Sequence, residues 1–136
     1  MADKRDERIR NREAIDRAFA GVSNSDVDEM LHNYTDDMVL EMPYADPPVR
    51  LEGRETVRVY LRAAFEVFKF RLWVTDMHEC ADPNELVIEY ASEGHVTTTG
   101  KPYANTYIGW YRFRDGSITF VREWYNPAAT AKSFAP

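Results

Sequence analysis

A glutamate stands in the middle of the last apolar stretch of the chain, which reads ITFVREWYNP. The β-branched and aromatic residues predict a strand from Ile118 to Asn126, and Pro127 ends it because proline cannot donate a hydrogen bond to a neighbouring strand. Alternate residues of a strand face the same side, so Glu123 points the same way as Val121 and Tyr125. A carboxylate on such a strand is either paired or held with a raised pKa. Glu123 is therefore the first candidate for proton chemistry.

A glutamate among aromatic side chains loses contact with water, and its pKa rises toward neutrality. Such a group can take a proton from a carbon next to a carbonyl or imine and return it elsewhere, which is worth about 10²–10⁴-fold in rate. The enolate or enamine that forms needs hydrogen-bond donors. The hydroxyls of Tyr103 and Tyr60 or the amide of Asn105 can supply them, and Tyr107 shares a strand face with Tyr103 and Asn105.

Glu123 also has a structural interpretation. It can form an ion pair with Arg112 or Arg114 on the neighbouring strand, since structural networks bury carboxylates as well. The sequence of the strand by itself does not decide between this role and proton transfer.

Glu89 is a second candidate acid, in the middle of an earlier strand. It shares a strand face with Glu93 and His95, so the three side chains can line the concave side of a sheet. Epoxide hydrolysis would need two carboxylates and an arginine around one water, and Glu123 and Glu89 would then be the acids. The alternative for Glu89 is a cross-strand ion pair with an arginine.

The elements that must position these residues run helix, helix, strand, helix and then four consecutive antiparallel strands. Helices are predicted over 6–22, from Ser25 through Tyr34 with Ser25 and Asp28 as a capping box, and over 53–68. Strands are predicted over 38–42, 70–80, 85–98, 103–114 and 118–126, with Gly94 as a bulge or a bend and Asp115–Gly116 as a hairpin turn. This order is α+β. Three helices packed across the concave side of a curved, mainly antiparallel sheet form a cone-shaped barrel that encloses a pocket.

Length and composition narrow the possible functions. The chain has 136 residues, enough for a single domain over 1–136, and its net charge of −6 argues against a nucleic-acid partner. Cys80 is the only cysteine, so an internal disulfide is impossible, and no CxxC or HExxH spacing suggests a metal site. We expect no cofactor, no signal peptide and no membrane span, and a cytoplasmic location.

The opposite face of the last two strands carries three large aromatic side chains, Trp110, Phe120 and Trp124. The helices of a small cone cannot cover the convex side of its own sheet. An aromatic surface of this kind predicts a covering partner, and we expect an isologous homodimer through the sheet face.

Four segments carry a family resemblance: DPNELVIEYASEG at 82–94, GKPYANTY at 100–107, RDGSI at 114–118 and REWYNP at 122–127. With the order of elements, they resemble the cone-shaped nuclear-transport-factor-like superfamily, which includes ketosteroid isomerases, limonene epoxide hydrolases and SnoaL-type polyketide cyclases. Within it, the chain is most similar to the phenazine-biosynthesis PhzA/PhzB family.

The resemblance places Glu123 at the family's acid/base carboxylate and Tyr103 at a pocket tyrosine. Two positions depart from the family, because Tyr60 stands where the third helix has a histidine and Ala64 where it has a serine. The base of ketosteroid isomerases corresponds to Met42, so this chain is expected to lack that base, although Asp46 in the following loop could move in. The candidates for contact with a substrate are Tyr34, Met42, Ala64, Trp73, Glu89, Asn105, Tyr107 and Tyr125.

The resemblance and the residues together predict a cofactor-independent isomerase, cyclase or condensing enzyme of secondary metabolism. Its substrate is expected to be a small apolar carbonyl or imine compound, with Glu123, Tyr103 and Tyr60 as catalytic residues. The alternatives are a ketosteroid-isomerase-like isomerase and a module that binds a small hydrophobic or aromatic ligand without converting it. Replacing Glu123 by glutamine would separate an enzyme from a binding module.

Overall fold

Six strands in one curved sheet and four helices make up residues 3–136, the part of the chain that the computed structural model describes. The helices are α1 (Lys4–Ser23), α2 (Val27–Leu31), α3 (Arg54–Val67) and α4 (Pro127–Phe134). The strands are β1 (Tyr34–Met42), β2 (Val49–Glu52), β3 (Phe68–Glu79), β4 (Glu85–Val96), β5 (Pro102–Arg114) and β6 (Ser117–Tyr125). Within residues 3–136, no helix is both long enough and apolar enough to cross a membrane.

The strands lie in the order β2-β1-β6-β5-β4-β3. Neighbours are antiparallel except β1 and β6, which run parallel. The last four strands therefore form the predicted antiparallel succession, and β6 is an interior strand between β1 and β5. The predicted α+β class, with helices packed on a curved and mainly antiparallel sheet, is confirmed.

Side chains alternate between the two faces of the sheet along its long strands, and those on the concave face are mostly apolar. On β4, Leu86, Ile88 and Tyr90 are buried, whereas the residues between them are more exposed. Helix α1 packs its predicted stripe here, with Ile15 and Phe19 both in the core. The Phe19 ring lies 5.0 Å from the ring of Tyr90. Burying an apolar side chain of this size stabilises the fold by about 1.5–3 kcal/mol.

The second helix begins later than predicted and ends before Tyr34. Its N-cap is Asp26, whose side chain accepts a hydrogen bond from the backbone N–H of Glu29. Ser25 has a φ of 53° and lies outside the helix, so the capping box predicted from Ser25 is wrong. Tyr34 starts β1, where its side chain enters the core.

Two elements were not predicted. Strand β2 follows the proline-rich loop and pairs with the end of β1. Helix α4 begins directly after β6, where the side chain of Asn126 accepts a hydrogen bond from the N–H of Ala128 and Pro127 occupies the first turn. Pro127 does end the strand as predicted. It also starts a helix, because a missing N–H costs nothing in the first turn.

Gly94 is a point of close strand approach, and not a bulge. The pairing of β4 with β3 and with β5 runs through it without a shift in register, and it stands opposite Phe70 on one side and Tyr103 on the other. A Cβ atom at this position would lie 1.9 Å from the carbonyl oxygen of Lys69. The shift in the β3–β4 pairing occurs further along, between Val74 and Asp76.

Gly94→Ala is expected to destabilise the fold, because the added methyl group meets backbone atoms that cannot move independently. Overpacking of this kind costs about 1–3 kcal/mol. Urea unfolding monitored by tryptophan fluorescence would measure the change. A midpoint equal to that of the wild type would contradict the role assigned to this glycine.

Candidate active site

A cavity of about 260 Å³ lies between the concave face of the sheet and helices α3 and α4. Its wall consists of eight aromatic side chains, three aliphatic ones, one threonine and one glutamate. They are Tyr60, Phe65, Phe68, Phe70, Tyr103, Tyr107, Tyr125, Phe134, Met42, Leu61, Ala64, Thr130 and Glu123. Among the residues that the structure describes, no lysine, arginine or histidine lines this cavity, and Glu123 is its only carboxylate.

Glu123 enters the cavity because of the alternation along β6. Val121, Glu123 and Tyr125 share the concave face as predicted, with Val121 closed in the core. Tyr125 lines the cavity beside Glu123. In the sheet, Glu123 is paired with Gly109 of β5.

The environment of the Glu123 carboxyl group sets its proton affinity. Its side chain is only partly exposed, and the space it opens into is the cavity. Burial raises the pKa of Glu123 to about 7, although a hydrogen bond from Tyr90 acts in the opposite direction. The Tyr90 hydroxyl donates this bond to Oε2 of Glu123 at 2.5 Å. A carboxyl group with a pKa near 7 can both take and return a proton at neutral pH.

The ion pair of Glu123 with Arg112 or Arg114 is not formed, because both arginines have other partners. Arg112 lies 3.6 Å from Glu85. Arg114 forms two hydrogen bonds with Asp37, at 2.7 and 3.2 Å, and holds the pKa of that carboxyl group at about 2.

Tyr103 and Tyr107 belong to a hydroxyl network beside Glu123. Their hydroxyl oxygens are 3.1 Å apart, and Ser92 Oγ lies 2.8 Å from the Tyr107 hydroxyl. The amide of Asn105 donates to the Tyr103 hydroxyl at 3.0 Å. Asn105 also joins Asn126 through its amide and its carbonyl, and it does not line the cavity. The expectation that Asn105 contacts a substrate is therefore corrected: it holds Tyr103 and the end of β6 in place.

Six of the predicted residues, besides Glu123, line the cavity. They are Tyr60, Tyr103, Tyr107, Tyr125, Met42 and Ala64. Tyr60 is 39 % exposed and marks the open side. The two positions at which the chain departs from the PhzA/PhzB pattern, Tyr60 and Ala64, thus lie where they change the shape and polarity of the cavity.

Two predicted contact residues lie on the other face of the sheet. Trp73 stacks under the guanidinium of Arg71, with 4.4 Å between Arg71 Cζ and the ring centroid. Glu89 bonds to His78 at 2.7 Å. Both expectations are corrected, because the odd-numbered residues of β4, and those of β3 before the register shift that follows Val74, point to the convex side.

Because Glu89 points to the convex side, it cannot be the second acid beside Glu123. Glu93 and His95 are exposed and point to the convex side with Glu89. Because none of the three faces the cavity, the pair of carboxylates that epoxide hydrolysis needs is not brought together.

Tyr34 and the loop after β1 also differ from expectation. Tyr34 is buried in the core and does not line the cavity, although burial and then the charge of Glu123 raise its pKa. Asp46, the acid of that loop, is exposed and lies outside the cavity wall. Asp46 therefore does not supply the base that ketosteroid isomerases carry at the position of Met42.

Sequence reasoning missed Tyr90 and six residues of the cavity wall, which are Leu61, Phe65, Phe68, Phe70, Thr130 and Phe134. Thr130 and Phe134 come from α4, whose signal was the Asn126–Pro127 pair, a preferred N-cap residue followed by proline. Phe70 was assigned to its strand but not to the cavity. Tyr90 was passed over because only the fold shows that its hydroxyl reaches Glu123.

Known proteins support this reading of the fold. An uncharacterised PhzA/B-like protein of Pseudomonas aeruginosa is 38% identical over 91 residues, which cover 65% of this chain and 64% of that relative. The match therefore spans less than two thirds of the relative's length. The crystal structure of a candidate isomerase from Bacillus subtilis has a TM-score of 0.87 and 25% identity, covering 98% of this chain and 96% of that one.

A phenazine biosynthesis-related protein of Pseudomonas aeruginosa shares the fold, with a TM-score of 0.81 and 19% identity over 98% of this chain and 92% of that one. The model of the SnoaL-like domain family matches residues 15–121. That span ends two residues before Glu123, so the role of Glu123 depends on the geometry described above. It covers most of the chain, and the resemblance seen in the sequence is confirmed: the chain belongs to the SnoaL-like domain family.

Proposed function

We propose that the protein is a cofactor-independent acid–base enzyme that isomerises, cyclises or condenses a small apolar carbonyl or imine compound. The observation that carries the proposal is the Glu123 carboxyl group, which has a pKa near 7 and opens into an aromatic cavity. Membership of the SnoaL-like domain family and the fold shared with a candidate isomerase support a reaction of this type.

Glu123 acts as the base and then as the acid. Its carboxylate removes a proton from a carbon next to the carbonyl or imine group, and its carboxylic acid returns the proton to another atom of the same intermediate. Tyr103 and Tyr60 are the proposed donors to the enolate or enamine. Burial raises the pKa of Tyr60, so its hydroxyl stays protonated and can donate.

The cavity limits the substrate in size and charge. An apolar cavity of about 150 Å³ holds benzene, so about 260 Å³ suits one substituted ring or two fused rings. A carboxylate or phosphate on the substrate would find no cationic partner among the lining residues described. A neutral ketone or imine fits this wall better than an anion, because a buried charge needs a partner.

Hydrogen–deuterium exchange tests the proposal without knowledge of the product. Cyclic ketones and cyclic imines of one or two rings are incubated in D₂O, and the protons next to the functional group are followed by NMR. We expect exchange with the wild type, none above background with Glu123→Gln, and binding of the same compounds to both proteins by saturation-transfer NMR. Binding to the wild type without exchange would favour the ligand-binding alternative. Equal exchange by both proteins would exclude Glu123 as the base.

We also propose that the convex face pairs with a second copy of the chain. Trp110, Phe120 and Trp124 lie together on this face, and Ile108 beside them is 46 % exposed. Sedimentation velocity should give a dimer for the wild type. Ile108→Glu should give a monomer, because dimerisation would bury an unpaired carboxylate of each copy in the interface. A wild-type monomer would contradict this.

A further inference from the structure

Tyr90 reaches Glu123 from two strands away. It lies on β4, opposite Tyr107 of β5, whereas Glu123 on β6 is paired with Gly109, the next residue of β5 on the concave face. The Tyr90 side chain therefore crosses β5 diagonally before its hydroxyl meets Oε2 of Glu123 at 2.5 Å. Tyr90 does not line the cavity, so it can influence a substrate only through residues that do, and among these it hydrogen-bonds to Glu123.

Gly109 leaves the space that this crossing needs. A Cβ atom there would lie 2.9 Å from the Tyr90 hydroxyl oxygen and 2.5 Å from Cε1 of Tyr111. Any larger residue would have to displace the ring ends of both tyrosines. Glycine weakens a strand interior, so its presence here is explained by the passage of Tyr90.

The ring of Tyr90 has little freedom to move. It stacks on Tyr107 with 4.9 Å between ring centroids and 9° between ring planes, and it is 1 % exposed. Phe19 packs against it, and the Tyr111 hydroxyl donates to the Tyr90 hydroxyl at 3.4 Å. A donor held in this way is already oriented toward Glu123 and does not have to reorganise when the carboxyl group ionises.

We infer that Tyr90, passing over Gly109, is the positioning residue of Glu123: its hydroxyl fixes Oε2 in one orientation and stabilises the ionised carboxylate. This inference deepens the proposed function and rests on it for its catalytic meaning. An O–H···O⁻ bond of 2.5 Å is short and charge-assisted, and it stabilises the ionised carboxylate more than the neutral acid. It therefore opposes the effect of burial, which raises the pKa of Glu123.

The test measures the Glu123 pKa directly, so that no substrate is needed. The protein is labelled with ¹³C at the glutamate carboxyl carbons, and the Glu123 signal is identified as the one missing from the Glu123→Gln spectrum. Hydrogen bonds to charged groups are strong enough that Tyr90→Phe should raise the pKa by about one unit, a tenfold gain in proton affinity. Gly109→Ala should raise it in the same direction, although it keeps the Tyr90 hydroxyl.

Tyr111→Phe is the matched control, because it removes a buried hydroxyl from the same cluster that is not bonded to Glu123. Its shift should be less than half of the shift in Tyr90→Phe. Equal titration of Glu123 in the wild type and in Tyr90→Phe would overturn the inference, as would equal shifts in Tyr90→Phe and Tyr111→Phe. If Tyr90→Phe does not fold, an unshifted Glu123 in Gly109→Ala overturns it in the same way.

Failure of the proposed function would be recognised separately. If the pKa shifts as expected but Glu123→Gln retains full exchange activity, Tyr90 still positions Glu123 and only the role of Glu123 as a base is wrong. If both hold, the pH at which kcat/KM is half-maximal should rise in Tyr90→Phe by the same amount as the pKa.

Discussion

Glu123→Gln is expected to lower kcat/KM for the ketone or imine found by exchange by about 10²–10⁴-fold, the range for loss of a positioned acid–base group. Glutamine has nearly the same shape, and its amide oxygen can still accept the hydrogen bond from Tyr90. The amide cannot accept a proton from carbon at neutral pH. Because little else in the cavity changes, the dissociation constant of the substrate should change by less than about tenfold, a difference of about 1.4 kcal/mol.

The pH dependence of kcat/KM in the wild type shows whether Glu123 acts first as a base or as an acid. Glu123 acts first as a base, and its pKa is about 7, so the active carboxylate is the minor form below that pH. We expect kcat/KM to fall about tenfold for each pH unit below this pKa and to level off above it. A rate that rises as the pH falls would show that Glu123 acts first as an acid.

Glu93→Gln serves as the control for the first prediction. Glu93 is a carboxylate of the same sheet, but it is exposed on the convex face and pairs with Arg71 at 3.2 Å. The variant should keep wild-type activity. Equal losses in Glu93→Gln and Glu123→Gln would indicate a general effect of net charge, and the assignment of Glu123 would then fail.

Glu123 could be found from the sequence because both faces of β6 are largely apolar. A charged residue between Val121 and Tyr125 stands out on such a strand, and Pro127 fixes where the strand ends. Alternation then groups Glu123 with Tyr125 without any knowledge of the fold. Alternation also groups Tyr103 with Tyr107 on β5, and the family resemblance places Tyr103 in the pocket.

Alternation groups residues by face but does not say which face is concave. Glu89 and Glu93 were correctly placed together, yet on the wrong side of β4. The other set on that strand, with Ile88 and Tyr90, is the buried one. Trp73 shows the same limit on β3, where its apolar ring faces outward under Arg71.

The parts of the site that could not be predicted from the sequence depend on contacts between segments that are distant in the chain. The bond from Tyr90 to Glu123 joins residues that are two strands apart and depends on the space above Gly109, which no local pattern reveals. The share of the cavity wall that α4 provides depends on how the chain turns at Asn126, where a strand end and a helix cap coincide.

Glu123→Gln is also expected to stabilise the protein at alkaline pH. The folded protein binds the Glu123 proton more tightly than the unfolded chain, because burial raises the pKa from 4.5 to about 7. The stabilisation from this proton is complete below pH 4.5, and it is lost as the pH rises through about 7. The wild type should therefore lose about 3 kcal/mol of unfolding free energy over this range from Glu123 alone.

Glutamine does not titrate, so the unfolding free energy of the variant does not fall with pH at this position. Urea unfolding of both proteins at about pH 4.5 and about pH 8.5 isolates the contribution of Glu123, because the other titrating groups are common to both and cancel in the difference. We expect the difference in unfolding free energy, variant minus wild type, to become more positive by about 2–3 kcal/mol at the higher pH.

The combination of the two effects is what makes this prediction informative. A substitution that abolished turnover by disturbing the fold would lower stability and activity together. Glu123→Gln should lower activity and raise stability, because an ionised carboxylate held away from water costs folding free energy at the pH where it works as a base. A variant that is inactive but no more stable at about pH 8.5 would mean that Glu123 is well solvated in the folded protein, and the physical basis of its basicity would be lost.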